Sequence, residues 1–259
     1  MLNRTVHIQK LGQNFLLLID ICRLPLPDQI NYQPKHGFMY NPASMKNSNF
    51  DLVIFDCDGV LVNSEPLANQ VYVGILEEHG YQVNSEEYLL EFSGASIKQR
   101  LAVTSQRLNW NPPSNFTSTF HERLAVLATQ ELKAVPGIHQ LIESLTVPIC
   151  IGSNGTRSEI LLRLKIANLT EKFENVIFSA VEMAHPKPAP DVFLAAAQSF
   201  NVPPSRCIVI EDSIPGVTAA VRAGMKVYGH AAFTPAEDLQ NAGAIPFANM
   251  AELKNMLAQ

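Results

Sequence analysis

The chain has few cysteines and no cysteine pairs. Cys22, Cys57, Cys150 and Cys207 are its four thiols, widely spaced and without a CxxC. That argues against a zinc site or a disulfide framework and fits a reducing cytoplasm, with thiols in apolar runs serving as small core residues. Clustered Lys and Arg are also missing, and the formal net charge is -5. A phosphate backbone demands clustered cations, so a nucleic-acid partner is not expected; a small anionic substrate stays open, because it needs only local positive charge and a metal. No apolar run approaches the roughly 20 residues that span a bilayer. "LGQNFLLLIDIC" is short, is interrupted by Asp20 and is followed by no small-residue cleavage pattern. Neither a membrane anchor nor an export signal is expected from it. No internal repeat of fixed period is present.

The 259 residues suffice for one large α/β domain or a core carrying an insertion. Residues 1–49 read as an irregular N-terminal extension rich in Pro, Asn and Gln, with Met45 as an alternative start just before the first strand. Three short apolar runs then end in polar residues: "FDLVIFDCDG", "VPICIGSN" and "CIVIEDS". Each suits a strand buried on both faces, and each is followed by a helical pattern. Ile160, Leu161 and Leu164 recur at helical spacing after the second; Val217, Ala220 and Val221 do so after the third, with Gly224 as a stop. The expected fold is α/β, with a Rossmann-like parallel sheet and helices on both faces. Its parts are residues 50–63 and 136–259.

Between the first two strand tips the interval is too long for one crossover helix. Residues 64–135 read as an inserted all-helical cap. Leu67, Val71 and Ile75 mark a first helix ending at Gly80, and Asn84 with Glu87 resembles a capping box for the second. Ile97, Leu101 and Leu108 mark a third, and Phe116, Phe120, Leu124 and Leu127 a fourth. Such an insert follows the first strand tip directly and would cover a pocket at the sheet edge.

Ligands of open α/β sheets bind at the carboxyl edge of the strands, where Asp56, Ser153 and Asp212 would meet. Asp56 and Asp58 alternate to one side of an extended chain. One carboxylate could attack phosphorus while the other moves protons. Taken alone, "DCDG" fits an Asp-Gly turn as well. Glu211 and Asp212 add carboxylates that would repel the first pair unless a hard cation such as Mg²⁺ joined them, although "EDS" is also an ordinary helix start. Ser153 with the amides of Asn154 and Gly155 could cradle a phosphate, or Ser153 could simply be an N-cap. Lys187 lies between two prolines in "HPKPAPD", which could aim its ammonium at phosphoryl oxygens or merely lead into a helix.

In this order, "DCDGVLVNSE", "GSNG", "KPAPD" and "EDSIPGVTAAVRAGM" resemble the four motifs of the haloacid dehalogenase superfamily, in its phosphatase and phosphoglucomutase-like branch. The resemblance implies a Mg²⁺-dependent phosphatase of a small phosphorylated metabolite, a sugar phosphate, working through an aspartyl phosphate. It implies Asp56 as nucleophile and Asp58 as general acid and base. Ser153 and Asn154 would bind phosphate and Lys187 would stabilise it. The implied metal ligands are Asp56, Asp58 through its backbone carbonyl, Asp212, and Glu211 as a further ligand. Dehalogenases lack the second acid, so Asp58 favours phosphate chemistry. A mutase would carry His where Ala68 stands and Arg near Ile97. Asn63 stands where the family often has Asp, with an effect expected on the loop. The cap residues expected to set specificity are Glu65, Gly94, Ser96 and Lys98. The remaining alternatives are a phosphosugar mutase and an idle binding protein; a monomer is expected.

Overall fold

The computed structural model describes residues 49–258. The N-terminal extension and Cys22 lie outside them. Six parallel strands form one sheet in the order β3-β2-β1-β4-β5-β6, from β1 (Leu52–Phe55), β2 (Ile149–Ser153), β3 (Ile177–Ser179), β4 (Cys207–Glu211), β5 (Lys226–His230) and β6 (Ile245–Phe247). β1 pairs with β2 on one side and β4 on the other. The order therefore reverses beside β1, which opens the crevice where such sheets bind ligands. Phe55 is in register with Ile151 and with Ile210, so the residues that follow all three emerge level at the carboxyl edge.

Alternation along the strands divides the core in two. Val53, Phe55, Ile151, Ile208 and Ile210 share one apolar cluster; Leu52, Ile54, Cys150 and Val209 share the other. The first is covered by α5 (Ile138–Ser144), α6 (Arg157–Ile166) and α11 (Met250–Leu257), through Leu141, Ile160, Leu164 and Leu253. The second is covered by α8 (Asp191–Ser199), α9 (Ile214–Arg222) and α10 (Ala236–Asn241), through Phe193, Ala196, Val217, Ala220 and Leu239. A short α7 (Thr170–Phe173) buries Phe173 against Phe55, with ring centroids 5.9 Å apart. Val221, expected on the buried stripe of α9, is exposed; Val217 and Ala220 make that contact together with Ala219.

Four helices leave β1 and return to α5: α1 (Glu65–Glu78), α2 (Ser85–Phe92), α3 (Ile97–Leu108) and α4 (Phe116–Glu131). They enclose an apolar cluster of their own, with Tyr72 edge-on to Phe116 and Phe120. Leu124 and Leu127 touch both this cluster and the sheet's, so α4 joins the insert to the core. Asn84 caps α2 through the Glu86 and Glu87 amides, but it donates its own Nδ2–H to Glu87 where a reciprocal capping box would use its backbone. Cys57, Cys150 and Cys207 are free, buried thiols. Among the described residues, no helix is long and apolar enough to cross a membrane.

Candidate active site

The three strand tips meet beneath the insert around a cavity of about 450 Å³. Asp56 follows β1 directly, and its amide donates to the Ile210 carbonyl at 2.9 Å, so the strand pairing itself fixes its backbone. Lys187 arrives from the loop before α8. Its Nζ donates to Asp56 Oδ1 and to Glu211 Oε1, each at 2.6 Å, and lies 4.8 Å from the Phe193 ring centroid. Burial opposes its charge, but the two carboxylates outweigh burial and hold the ammonium above its usual range. Burial pushes the Asp56 carboxyl up to about 7, Lys187 pulls against this, and Glu211 and Asp58 add to it.

Glu211, expected as a further metal ligand, is bonded through both oxygens within the protein. Oε1 holds Lys187, and Oε2 accepts from the amides of Asp212 and Ser213 and from Ser213 Oγ, each at 2.9 Å. Its carboxylate sits so close to α9 that a Cβ on Gly216 would lie 1.7 Å from Oε1. These bonds hold Glu211 in place beside Lys187. Asp212 is different: among the described residues no cation pairs with it, and burial, then Glu211 and Asp56, push its carboxyl well up.

Asp58 faces the same cavity, with Oδ1 accepting from Ser64 Oγ at 2.6 Å and from Arg163 Nε at 3.1 Å. The loop after it turns at Gly59, whose φ of +72° is left-handed and whose hypothetical Cβ would lie 1.8 Å from Asp212 Oδ2. Asp212 is thereby packed against the backbone next to Asp58. His230 closes the loop from β5: its Nδ1–H donates to the Gly59 carbonyl at 2.8 Å, and burial pushes the ring towards its neutral form.

Ser153 ends β2 and is not the cap of the next helix. Thr156 caps α6 in a reciprocal box with Glu159, which leaves the Ser153 hydroxyl at the cavity. Gly155 turns its amide back to Ser153 Oγ at 3.2 Å, so the available cradle is Ser153 with Asn154. The Asn154 Oδ1 accepts from the Lys187 amide at 3.2 Å, which ties the second motif to the third.

From the insert, Glu65, Gly94 and Ser96 line the cavity as expected, although Ser96 also caps α3 with Gln99. Burial pushes the Glu65 carboxyl up to about 6 against the pull of Arg100. Lys98 is exposed and does not line the cavity; Arg100, two residues further on, does. Arg100 and Arg163 were missed. Each stands three residues after an apolar residue of its helix, Ile97 and Ile160, so a charge inside an apolar stripe was the signal available.

No three His, Cys, Asp or Glu side chains converge as a metal cage among the described residues. What does converge is two buried carboxylates, Asp56 and Asp212, beside the backbone of Asp58 and Gly59. Hard oxygen donors in that number suit Mg²⁺, which keeps several waters and takes few protein ligands. The carboxyl of Asp212, pushed up by burial and then by neighbouring acids, is what a cation there would relieve.

A buried carboxylate held by a lysine at the switch point of a parallel sheet places the site in an α/β core of the kind that hydrolases use. The chain belongs to the haloacid dehalogenase-like hydrolase family, which it matches over residues 53–230. It is 29% identical over 182 residues to the 6-phosphogluconate phosphatase of Escherichia coli K12, covering 70% of this chain and 82% of that one. It is 28% identical over 215 residues to a phosphorylated carbohydrates phosphatase of Thermotoga maritima, covering 81% and 99%. A family hydrolase of Deinococcus radiodurans, solved with bound phosphate and sodium, superposes with a TM-score of 0.71 at 33% identity, covering 82% and 96%.

Proposed function

We propose that this enzyme, a phosphoric monoester hydrolase, releases phosphate from a small phosphorylated sugar through a covalent intermediate on Asp56. The observation that carries this is Lys187 bonded to Asp56 within a cavity that Asp58, Ser153 and Asp212 also face. In the first half-reaction an Asp56 oxygen bonds to phosphorus as the bond to the leaving oxygen breaks, and Asp58 gives that oxygen its proton. Ser64 and Arg163 then stabilise the Asp58 carboxylate so formed. In the second, water attacks phosphorus, Asp58 takes the water's proton, and the Asp56–phosphorus bond breaks to give inorganic phosphate. Lys187 and Ser153 stay beside the phosphoryl oxygens throughout. Asp56, Asp212 and the Asp58 carbonyl would hold Mg²⁺, whose charge offsets the repulsion between an anionic nucleophile and an anionic ester.

Ala68, where a mutase would carry His, lines the cavity as an apolar residue, which disfavours the mutase alternative. Phosphate release from a panel of sugar phosphates, with and without Mg²⁺, tests the reading. Release should require the metal and vanish in Asp56→Asn with the fold intact, as read by circular dichroism. Substantial release by a folded Asp56→Asn protein would overturn it.

A further inference from the structure

Arg100 is a charged side chain without a use in the chemistry above. It is only 4% exposed, yet it lines the cavity from the insert side. Its guanidinium lies over the rings of Tyr72 and Phe92, 5.0 and 5.4 Å from their centroids. Stacking of that kind occupies the faces of the planar group and leaves its in-plane N–H donors to find partners. Among the described residues Nε is buried without an acceptor, and no carboxylate lies within ion-pair distance of Arg100. Glu65 is close enough to act on its charge, but Glu65 accepts the Gly94 amide. A buried charge with an unsatisfied donor and no ion-pair partner is a standing cost to the fold, and an anion in the cavity that meets the guanidinium would offset it.

We infer that Arg100 seats a carboxylate on the substrate, remote from the phosphate transferred to Asp56, and that the enzyme acts on phosphorylated sugar acids. This rests on the phosphatase function proposed above and specifies its substrate. The charge on the wall favours a carboxylate over a second phosphate. Arg100 stands there with Glu65 as its neighbour, and Lys98, which could have added a second cation, is exposed outside the cavity. One guanidinium matches a monoanion bidentately, whereas a phosphate dianion beside Glu65 would be left undercompensated.

The test compares matched esters of equal carbon number: an aldonate phosphate, the corresponding alditol phosphate and the alditol bisphosphate. For the unaltered enzyme, kcat/KM for the aldonate ester should exceed that for the alditol ester by at least about tenfold, as expected of a site built around a polar group. Arg100→Gln should bring the ratio to about one, mainly through KM, and Arg100→Lys should restore part of it. A mere structural role for Arg100 would lower stability and leave the ratio in place. Equal or better use of the alditol ester or the bisphosphate, or a ratio unchanged in a folded Arg100→Gln protein, overturns the seat. Calorimetric binding of the same esters to Asp56→Asn, with and without Arg100→Gln, separates the seat from the chemistry. An Arg100-dependent preference for the aldonate ester in a protein that turns over no ester would sustain the seat and sink the phosphatase function; turnover without the preference would do the reverse.

Discussion

Lys187 stands between two carboxylates with different duties. In the proposed mechanism Asp56 attacks phosphorus, whereas Glu211, saturated by two amides and a hydroxyl, has nowhere to go. That asymmetry makes Glu211 a fixed anchor and Lys187 a fixed charge. Removing the lysine as Lys187→Ala should lower kcat by about 10²- to 10³-fold, the loss seen when one preorganised donor to a developing charge is deleted. Glu211→Gln keeps the volume but gives up one charged partner of Lys187, and kcat should fall by about 10- to 100-fold, as for a residue supporting the reacting shell. The Mg²⁺ concentration for half-maximal activity separates the two accounts of Glu211. A positioning residue leaves it unchanged; a ligand would raise it.

At the scale of the element, the start of α9 is built around the same carboxylate. Ser213 caps the helix by accepting the Gly216 amide while donating to Glu211, and Gly216 clears the space that Glu211 Oε1 occupies. Gly216→Ala is therefore a discriminating change. Helix propensity alone would stabilise by about 1 kcal/mol, but the methyl carbon would need the place of a buried oxygen. We expect a lower melting temperature together with a large loss of kcat; a stabilised, active Gly216→Ala protein would refute this packing. None of this was legible in "EDSIPG", which places an acid at a helix start without saying what it bonds. The strands were legible because short apolar runs ended in polar tips, and the insert helices because their apolar residues kept helical spacing. Pairing across the sheet was not, since Glu211 meets Lys187 only when β4 has been laid beside β1. Lys98 and Arg100 show the finer limit: both are basic residues of α3, and two residues along a helix turn a side chain through more than half a circle, so only the insert's packing shows which one enters the cavity.

At the scale of the whole molecule, the sheet gathers acids faster than it neutralises them. Lys187 answers Asp56 and Glu211, and Arg163 answers Asp58, while among the described residues Asp212 has no cation. The imbalance makes stability depend on pH and metal together. A carboxyl in the unfolded chain titrates near about 4, whereas burial lifts Asp56 to about 7 in the folded protein and lifts Asp212 as well. A raised carboxyl favours the folded state while it is protonated. Its contribution is full below the unfolded value and is lost as pH rises through the folded one, so the metal-free protein should lose stability between about pH 4 and 7. Mg²⁺ binds the deprotonated acids and reverses that loss. The rise in melting temperature on adding Mg²⁺ should accordingly be small at pH 5 and clearly larger at pH 8, measured by thermal unfolding at fixed ionic strength. An equal rise at both values would mean that the metal does not sit on the acids whose charge the fold leaves uncompensated.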